Sequence, residues 1–200
     1  ILRGGLIYDG SGSPSRKVGI GIVGDEIPAV GDLSKAKAKT SLDVSGLAVA
    51  PGFINMLSWS TDSLIHDGRS QSEIRQGGTL QVKGGGWSWG PVNDAIKKRM
   101  KADQTIIKYD IEWTTLWEYL TYLQRKGIST NVASFLGART VREHVIGLGN
   151  RKATEDDLRK MRALDESEMR MGALGIASTL EYAPSYYADT EELIELCKAA

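Results

Sequence analysis

Apolar positions along this chain fall into two regimes. Up to about residue 50 they come in short runs broken by turn residues, as in Leu2–Gly10, Val18–Gly24 and Gly21–Leu33. The stretch from Asp9 to Pro14 and the pair Gly24-Asp25 read as links between short strands. Pro28 sits in one of these strands; lacking an N–H, it predicts an edge position. The segment 35–39, with three lysines, reads as a solvated turn rather than a basic patch.

From Val49 the pattern changes to strands separated by capped helices. Leu47–Asn55 ends in Pro51-Gly52-Phe53-Ile54, a strand feeding a new buried strand at Phe53–Leu57. Further strands are expected at Thr79–Lys83, Ile128–Phe135 and Ala173–Ser178. Ser70 is placed to cap a short helix over Gln71–Gln76. Thr115 with Glu118, and Thr140 with Glu143, have capping-box spacing. The helix opened by Thr115 should reach Lys126 and stop at Gly127. A long helix is expected from Thr154 to Met171, acidic at its start and closed by Gly172. Asp189 and Glu192 mark a terminal helix.

Strands alternating with helices predict βα units and a parallel sheet. The expected fold class is α/β: a partial TIM-like (β/α) barrel of about four units, preceded by a small antiparallel β unit. The boundaries are residues 1–50 for the β unit and 51–200 for the first half of the barrel. Ile54, Val132 and Ile176 are expected to face the barrel interior.

Charge and composition narrow the function classes. The 25 basic and 25 acidic residues cancel, so nothing favours a nucleic acid or an anionic membrane as partner. No apolar run approaches the ~20 residues of a membrane span, and no signal-peptide pattern is visible. These features fit a soluble, cytoplasmic protein, with a leader on a missing N-terminus left open. Ile1 opens directly into a strand pattern and Ala200 falls inside a helix pattern, so both ends read as cut. Cys197 is the only cysteine, and His66 and His144 are the only histidines. A catalytic zinc takes about three protein ligands, so these separated residues make a poor set. The run Gly84–Gly86 lacks the Lys-Ser/Thr of a phosphate loop.

Several pieces, taken in order, carry a resemblance. They are Leu2–Gly10, Gly21–Leu33, Leu47–Asn55, Arg69-Ser70, Arg75-Gln76-Gly77, Glu112–Thr115, Asn131–Gly137, Arg162–Leu164, Gly172–Ile176 and Leu180–Pro184. Together they resemble the N-terminal portion of the metal-dependent amidohydrolases of the N-acyl-D-amino-acid deacylase (D-aminoacylase) type. The resemblance implies part of a small β-sandwich followed by a TIM-like barrel. It implies zinc and hydrolysis of a non-peptide amide bond of a small N-acyl amino acid by metal-activated water.

The family's metal ligands do not carry over. Leu57 and Trp59 stand where the family has His-x-His. Gly84–Gly86 aligns with its Gly-Asn-Cys-Gly, the cysteine position falling at Gly86 or in a gap. Gly137-Ala138-Arg139 stands for its Gly-His-Gly. No catalytic or metal-binding residue is therefore assigned, and the pattern resembles a divergent branch of the family. Two other readings stand beside the enzyme: a binding descendant of the same fold that has lost catalysis, and a cyclic amidohydrolase of the dihydroorotase or hydantoinase kind. Candidate substrate-cleft residues are those following the barrel strands: Ser58, Trp59, Ser60, Trp87, Ser88, Glu181 and Tyr182. For Trp59 the alternative is a plug in the space of the missing histidines. For Trp87 and Ser88 it is a packed loop, and for Glu181 and Tyr182 a structural corner. An unclosed sheet would also leave a free edge, an invitation to self-association.

Overall fold

The computed structural model describes all 200 residues. They form two compact units, Ile1–Gly52 and Phe53–Ala200.

The first unit holds seven short strands: β1 (Leu2–Arg3), β2 (Leu6–Ile7), β3 (Arg16–Lys17), β4 (Gly19–Val23), β5 (Glu26–Gly31), β6 (Leu42–Asp43) and β7 (Ala48–Val49). They make a sheet of order β5-β4-β1-β6 and a second of order β3-β2-β7. Pro28 lies on β5, an edge strand as its missing donor requires. The antiparallel expectation holds for β1·β4, β4·β5 and β2·β3, but β6 joins β1 in parallel and β7 joins β2 in parallel. Residues 2–7 cross from one sheet to the other, and residues 42–49 run beside them in the same direction. Leu2 pairs with Leu42 and Leu6 with Ala48. A Cβ on Gly5 would press on Val49 and Val44, so this close double crossing needs a glycine.

The second unit begins with β8 (Phe53–Asn55), α1 (Thr61–His66), α2 (Gln71–Arg75), β9 (Gly78–Lys83), α3 (Asp94–Asp103) and α4 (Leu116–Lys126). It continues with β10 (Asn131–Ser134), β11 (Leu136–Gly137), α5 (Ala138–Val145), α6 (Glu155–Arg170), β12 (Ile176–Ala177) and α7 (Thr190–Ala199). β8, β9 and β10 are parallel neighbours, and β11 pairs in parallel with β12. Leu174 N donates to Ser134 O at 3.0 Å, and Leu136 N to Gly175 O at 2.8 Å, joining the two ladders. The result is a run of parallel strands with helices between them: a partial, unclosed TIM-barrel-like fold. No helix is long and apolar enough to cross a membrane.

Local chemistry accounts for most helix ends. Thr115 and Glu118 form the capping box of α4, and Gly127 ends it at φ +83°. Leu116, Tyr119 and Leu123, spaced three and four apart, turn inward from α4. They join Leu64, Ile65, Val92, Ile96 and Trp113 in the larger core. α6 starts with a box from Thr154 and Asp157, and Asp189 Oδ1 caps α7 through the Glu192 N–H. A smaller core joins Leu136, Ala138, Val141, Met161 and Leu196.

Four local expectations need correction. Thr140 and Glu143 lie inside α5, which starts at Ala138; tertiary partners, Ser88 for Thr140 and Arg99 for Glu143, take the atoms a capping box would use. Ser70 precedes α2 but is left-handed (φ 46°), and its hydroxyl accepts from Gln81 instead of capping. Val132 packs on the larger core and Ile176 on the smaller, so both face the helix layer; only Ile54, 54% exposed, stands free of it. Helices α1 and α3 have no counterpart in the strand-and-cap reading, and Asn93 caps the second through the Ile96 N–H.

Buried charge ties the later helices together. Arg142 on α5 pairs with Glu192 on α7, with both side chains almost wholly buried, and Arg142 Nη2 donates to Arg151 O at 2.5 Å. Removing one partner of such a pair strands the other in low dielectric, which costs about 3–5 kcal/mol. Glu192→Ala should therefore lower unfolding stability by about that amount in a urea titration, whereas a loss below about 1 kcal/mol would show the pair to be dispensable.

Two acids on α6 are also sealed from water. Burial pushes Asp165 up to about 6, with Glu166 adding to it, and neither of its oxygens has a partner. Burial likewise pushes Glu168 up to about 7, opposed by the Leu116 N–H that it accepts at 3.0 Å. Raised acids hold their protons in the folded state longer than in the unfolded chain. The folded form is thus favoured at low pH and loses that advantage as pH rises from about 4 towards 6 or 7. Asp165→Asn removes this loss, so its stability relative to the parent should improve by about 2 kcal/mol between pH 4.5 and pH 7. A difference unchanged over that range, followed by denaturant midpoints, would contradict the burial account.

Candidate active-site face

The C-terminal ends of the parallel strands carry four loops: residues 56–60 after β8, 84–93 after β9, 135–137 around β11, and 178–184 after β12. In barrels of this kind, the chemistry sits on this face.

The first loop splits the candidates Ser58, Trp59 and Ser60. Ser58 is buried behind the sheet, where its hydroxyl donates to Gln81 Oε1 at 2.5 Å. Gln81 Nε2 in turn donates to Ser70 Oγ and Thr130 Oγ1 at 2.9 and 3.0 Å. Ser60 gives its carbonyl to Lys83 Nζ at 2.8 Å. Lys83 is itself buried, and burial pushes its amine down to about 8 against the pull of Glu73 and Asp62. Trp59 stands 62% exposed, so within this chain it plugs no cavity.

The second loop is built on close approaches. A Cβ at Gly85 would collide with Leu57 Cδ1, and one at Gly86 with the Thr179 side chain. Leu57 thus fills the space a side chain at 85 would need. Ser88 is fully buried and knots the loop to its neighbour. Its N–H donates to Thr140 Oγ1 at 2.8 Å and its hydroxyl to Gly90 O at 2.5 Å, while it accepts from Gly137 N at 3.0 Å. Trp87 and Trp89 meet edge to face at 4.3 Å between ring centres. Trp113 Nε1 donates to Trp89 O at 2.6 Å, fixing this loop to the core.

After the third loop Ala138 opens α5 and is buried, while the fourth loop presents Glu181 and Tyr182, both exposed. The Glu181 carboxylate beside the Tyr182 phenol raises the phenol's pKa. Of the seven cleft candidates, Trp59, Glu181 and Tyr182 stand open to solvent, Ser60 and Trp87 are half-buried, and Ser58 and Ser88 lie in the interior.

Sequence reasoning missed Gln81, Lys83, Asp62 and Tyr109 around this face. Gln81 and Lys83 alternate with Val82 along β9, a two-residue period that marks one face, but nothing in the pattern says that this face is buried. Tyr109 donates to Asp62 Oδ1 at 2.6 Å across 47 residues, a contact only the fold brings about.

The donor set does not fit a zinc centre. Leu57, Trp59, Gly85, Gly86 and Ala138 offer no ligand, and no group of three His, Cys, Asp or Glu is placed to hold a metal ion. His66 is exposed on α1, His144 leans on Pro91 O at 3.5 Å from α5, and Cys197 is exposed on α7.

Comparison with known proteins agrees with this architecture. No family model matches the chain. A D-aminoacylase of Alcaligenes xylosoxydans xylosoxydans is 37% identical over 199 residues, which is 99% of this chain and 41% of that protein. A solved D-aminoacylase, studied for its binuclear metal centre, superposes with a TM-score of 0.87 at 33% identity, over 99% of this chain and 42% of that one. The N-acyl-D-glutamate deacylase of Bordetella bronchiseptica, solved with zinc and a phosphonate inhibitor, gives 0.85 at 26%, over 100% of this chain and 42% of that one. The chain thus spans about two fifths of the relatives it matches. With its order of parallel strands, its glycine-lined loops and this end-to-end superposition, the chain belongs to the amidohydrolase superfamily, with the fold of the D-aminoacylase type.

Proposed function

We propose that this chain is the amino-terminal part of an amidohydrolase that cleaves the amide C–N bond of a small N-acyl-D-amino acid. The observation carrying this reading is the match to D-aminoacylase over 99% of the chain at 37% identity. In such an enzyme a bound divalent metal lowers the pKa of water and polarises the carbonyl. Ligands for that metal come from outside residues 1–200. What this chain contributes is the wall of the cleft: Trp59, Trp87, Glu181 and Tyr182 at the strand ends, with Ser60 holding Lys83 behind them. Residues 1–50 form part of a β-sandwich and 51–200 the first half of the barrel.

A second reading has its own support. Leu57 occupies the space beside Gly85, so the positions nearest the first two strands are filled by apolar carbon instead of ligands. This favours a binding descendant that keeps the cleft and has lost turnover.

The test is hydrolysis of N-acetyl-D-amino acids by the longer protein, loaded with zinc, beside the chain of residues 1–200. The deacylase reading expects chelator-sensitive turnover of D but not L substrates by the longer protein, and none above background by the shorter chain. Saturable binding without turnover by the longer protein would select the binding descendant. Turnover by residues 1–200 alone would contradict both. On size-exclusion chromatography the shorter chain should run larger than a monomer, because β8 and β12 are edge strands.

A further inference from the structure

Beside the barrel face lies a cavity of about 220 Å³ whose lining includes Trp87, Trp89, Met100, Asp62, Asp103 and Arg139. Its walls come from α1, the second loop, α3 and the start of α5. We propose that it is a binding site for a small monocarboxylate, with Arg139 as the partner of the anion and the Trp87–Trp89 pair as the wall for its apolar part. The proposal stands on the geometry of this cavity and does not rest on the deacylase reading.

Other arginines of this unit have carboxylate partners. Arg99 is gripped by Glu143 at 2.8 and 2.9 Å and by Asp103 at 3.1 Å. Arg142 has Glu192, Arg151 has Asp157, and Arg162 has Glu195. Arg139 is half-buried with no carboxylate within ion-pair distance, and its Nε is sealed from water without an acceptor. Trp87 Nε1 is a second sealed donor with no acceptor. Arg139 is thus the guanidinium on the cavity lining whose charge no carboxylate of the chain answers. A guanidinium takes a carboxylate through two parallel N–H groups.

The charge and size of the cavity select among anions. Asp62 is engaged by the Tyr109 hydroxyl at 2.6 Å and Asp103 by Arg99 at 3.1 Å. A dianion such as a phosphate ester would meet both carboxylates on the same lining, where Arg99 is already taken up by Glu143 and Asp103. A monoanion meets one free cation at less cost. The volume is below the ~300–1,000 Å³ of sites for drug-sized ligands, which fits a small acid better than a peptide or nucleotide. The two indole rings and Met100 suit an aromatic or branched apolar group.

The test titrates the chain with phenylacetate and with phenylacetamide, which has the same shape without the charge. Binding is followed by calorimetry and by the indole N–H resonance of Trp87, identified through Trp87→Phe. The proposal expects saturable binding of the acid, at least about tenfold weaker binding of the amide, and a shift of the Trp87 resonance with the acid alone. Arg139→Met should weaken the acid about tenfold or more; Arg139→Lys, which keeps the charge and loses the fork, should lie between. If Arg139→Met fails to fold by circular dichroism, the lysine variant and the acid–amide comparison decide. Displacement of phenylacetate by N-acetyl-D-phenylalanine would assign the site to acylated amino acids, and its failure to displace would assign it to free aromatic acids; either supports a carboxylate site. Equal binding of acid and amide, no saturation up to about 50 mM, or acid binding unchanged in Arg139→Met would overturn it.

Discussion

The barrel face of this protein depends on how closely its second loop runs against the third. Ser88 is the centre of that contact: its hydroxyl, N–H and carbonyl make four hydrogen bonds, to Thr140, Gly90 and Gly137. The approach leaves no room for side chains. A Cβ on Gly137 would strike the Gly86 carbonyl and the Trp87 backbone, and one on Gly90 would strike the start of α4. With the backbones locked, Trp87 and Trp89 have one place to go, under α3. Loop and core are therefore a single packing problem, and the aromatic wall of the cavity is a consequence of the knot.

How much of this could be read from the sequence follows from which forces are local. The capping box at Thr115, the helix start at Thr154 and the stop at Gly127 were legible because each is settled within one turn of helix. Thr140 and Glu143 carried the same spacing and misled, since partners 52 and 44 residues away outcompete a local cap. The mixed pairing of β6 and β7 was hidden for the same reason: strand direction is set by the path between sheets. Val132 and Ile176, expected in the barrel interior, pack on the helix layer instead, because in a parallel sheet both faces are apolar and the pattern does not separate them.

The candidate site was legible only through resemblance, and residue by residue it came out divided. Ser58 and Ser88 sit at the strand ends, where cleft residues belong, yet their hydroxyls are spent on Gln81 and on Gly90 and Gly137. Trp59, Glu181 and Tyr182 stand on the open face. Arg139 was visible only as a departure from the family pattern, and Asp62 and Tyr109 not at all. At the cysteine position of the family, a Cβ on Gly86 would strike the Thr179 side chain, so a ligand there needs a change at Thr179 as well.

On the proposed reading, this chain shapes the face of an amidohydrolase barrel while side chains elsewhere hold the metal. The most direct measurement is the anomalous scattering of zinc at its absorption edge in crystals of the longer protein. The predicted map has its zinc peak at the strand ends, bound by side chains outside residues 1–200, with no side chain of this chain within bonding distance. A zinc held by His66, His144 or Cys197 would contradict it.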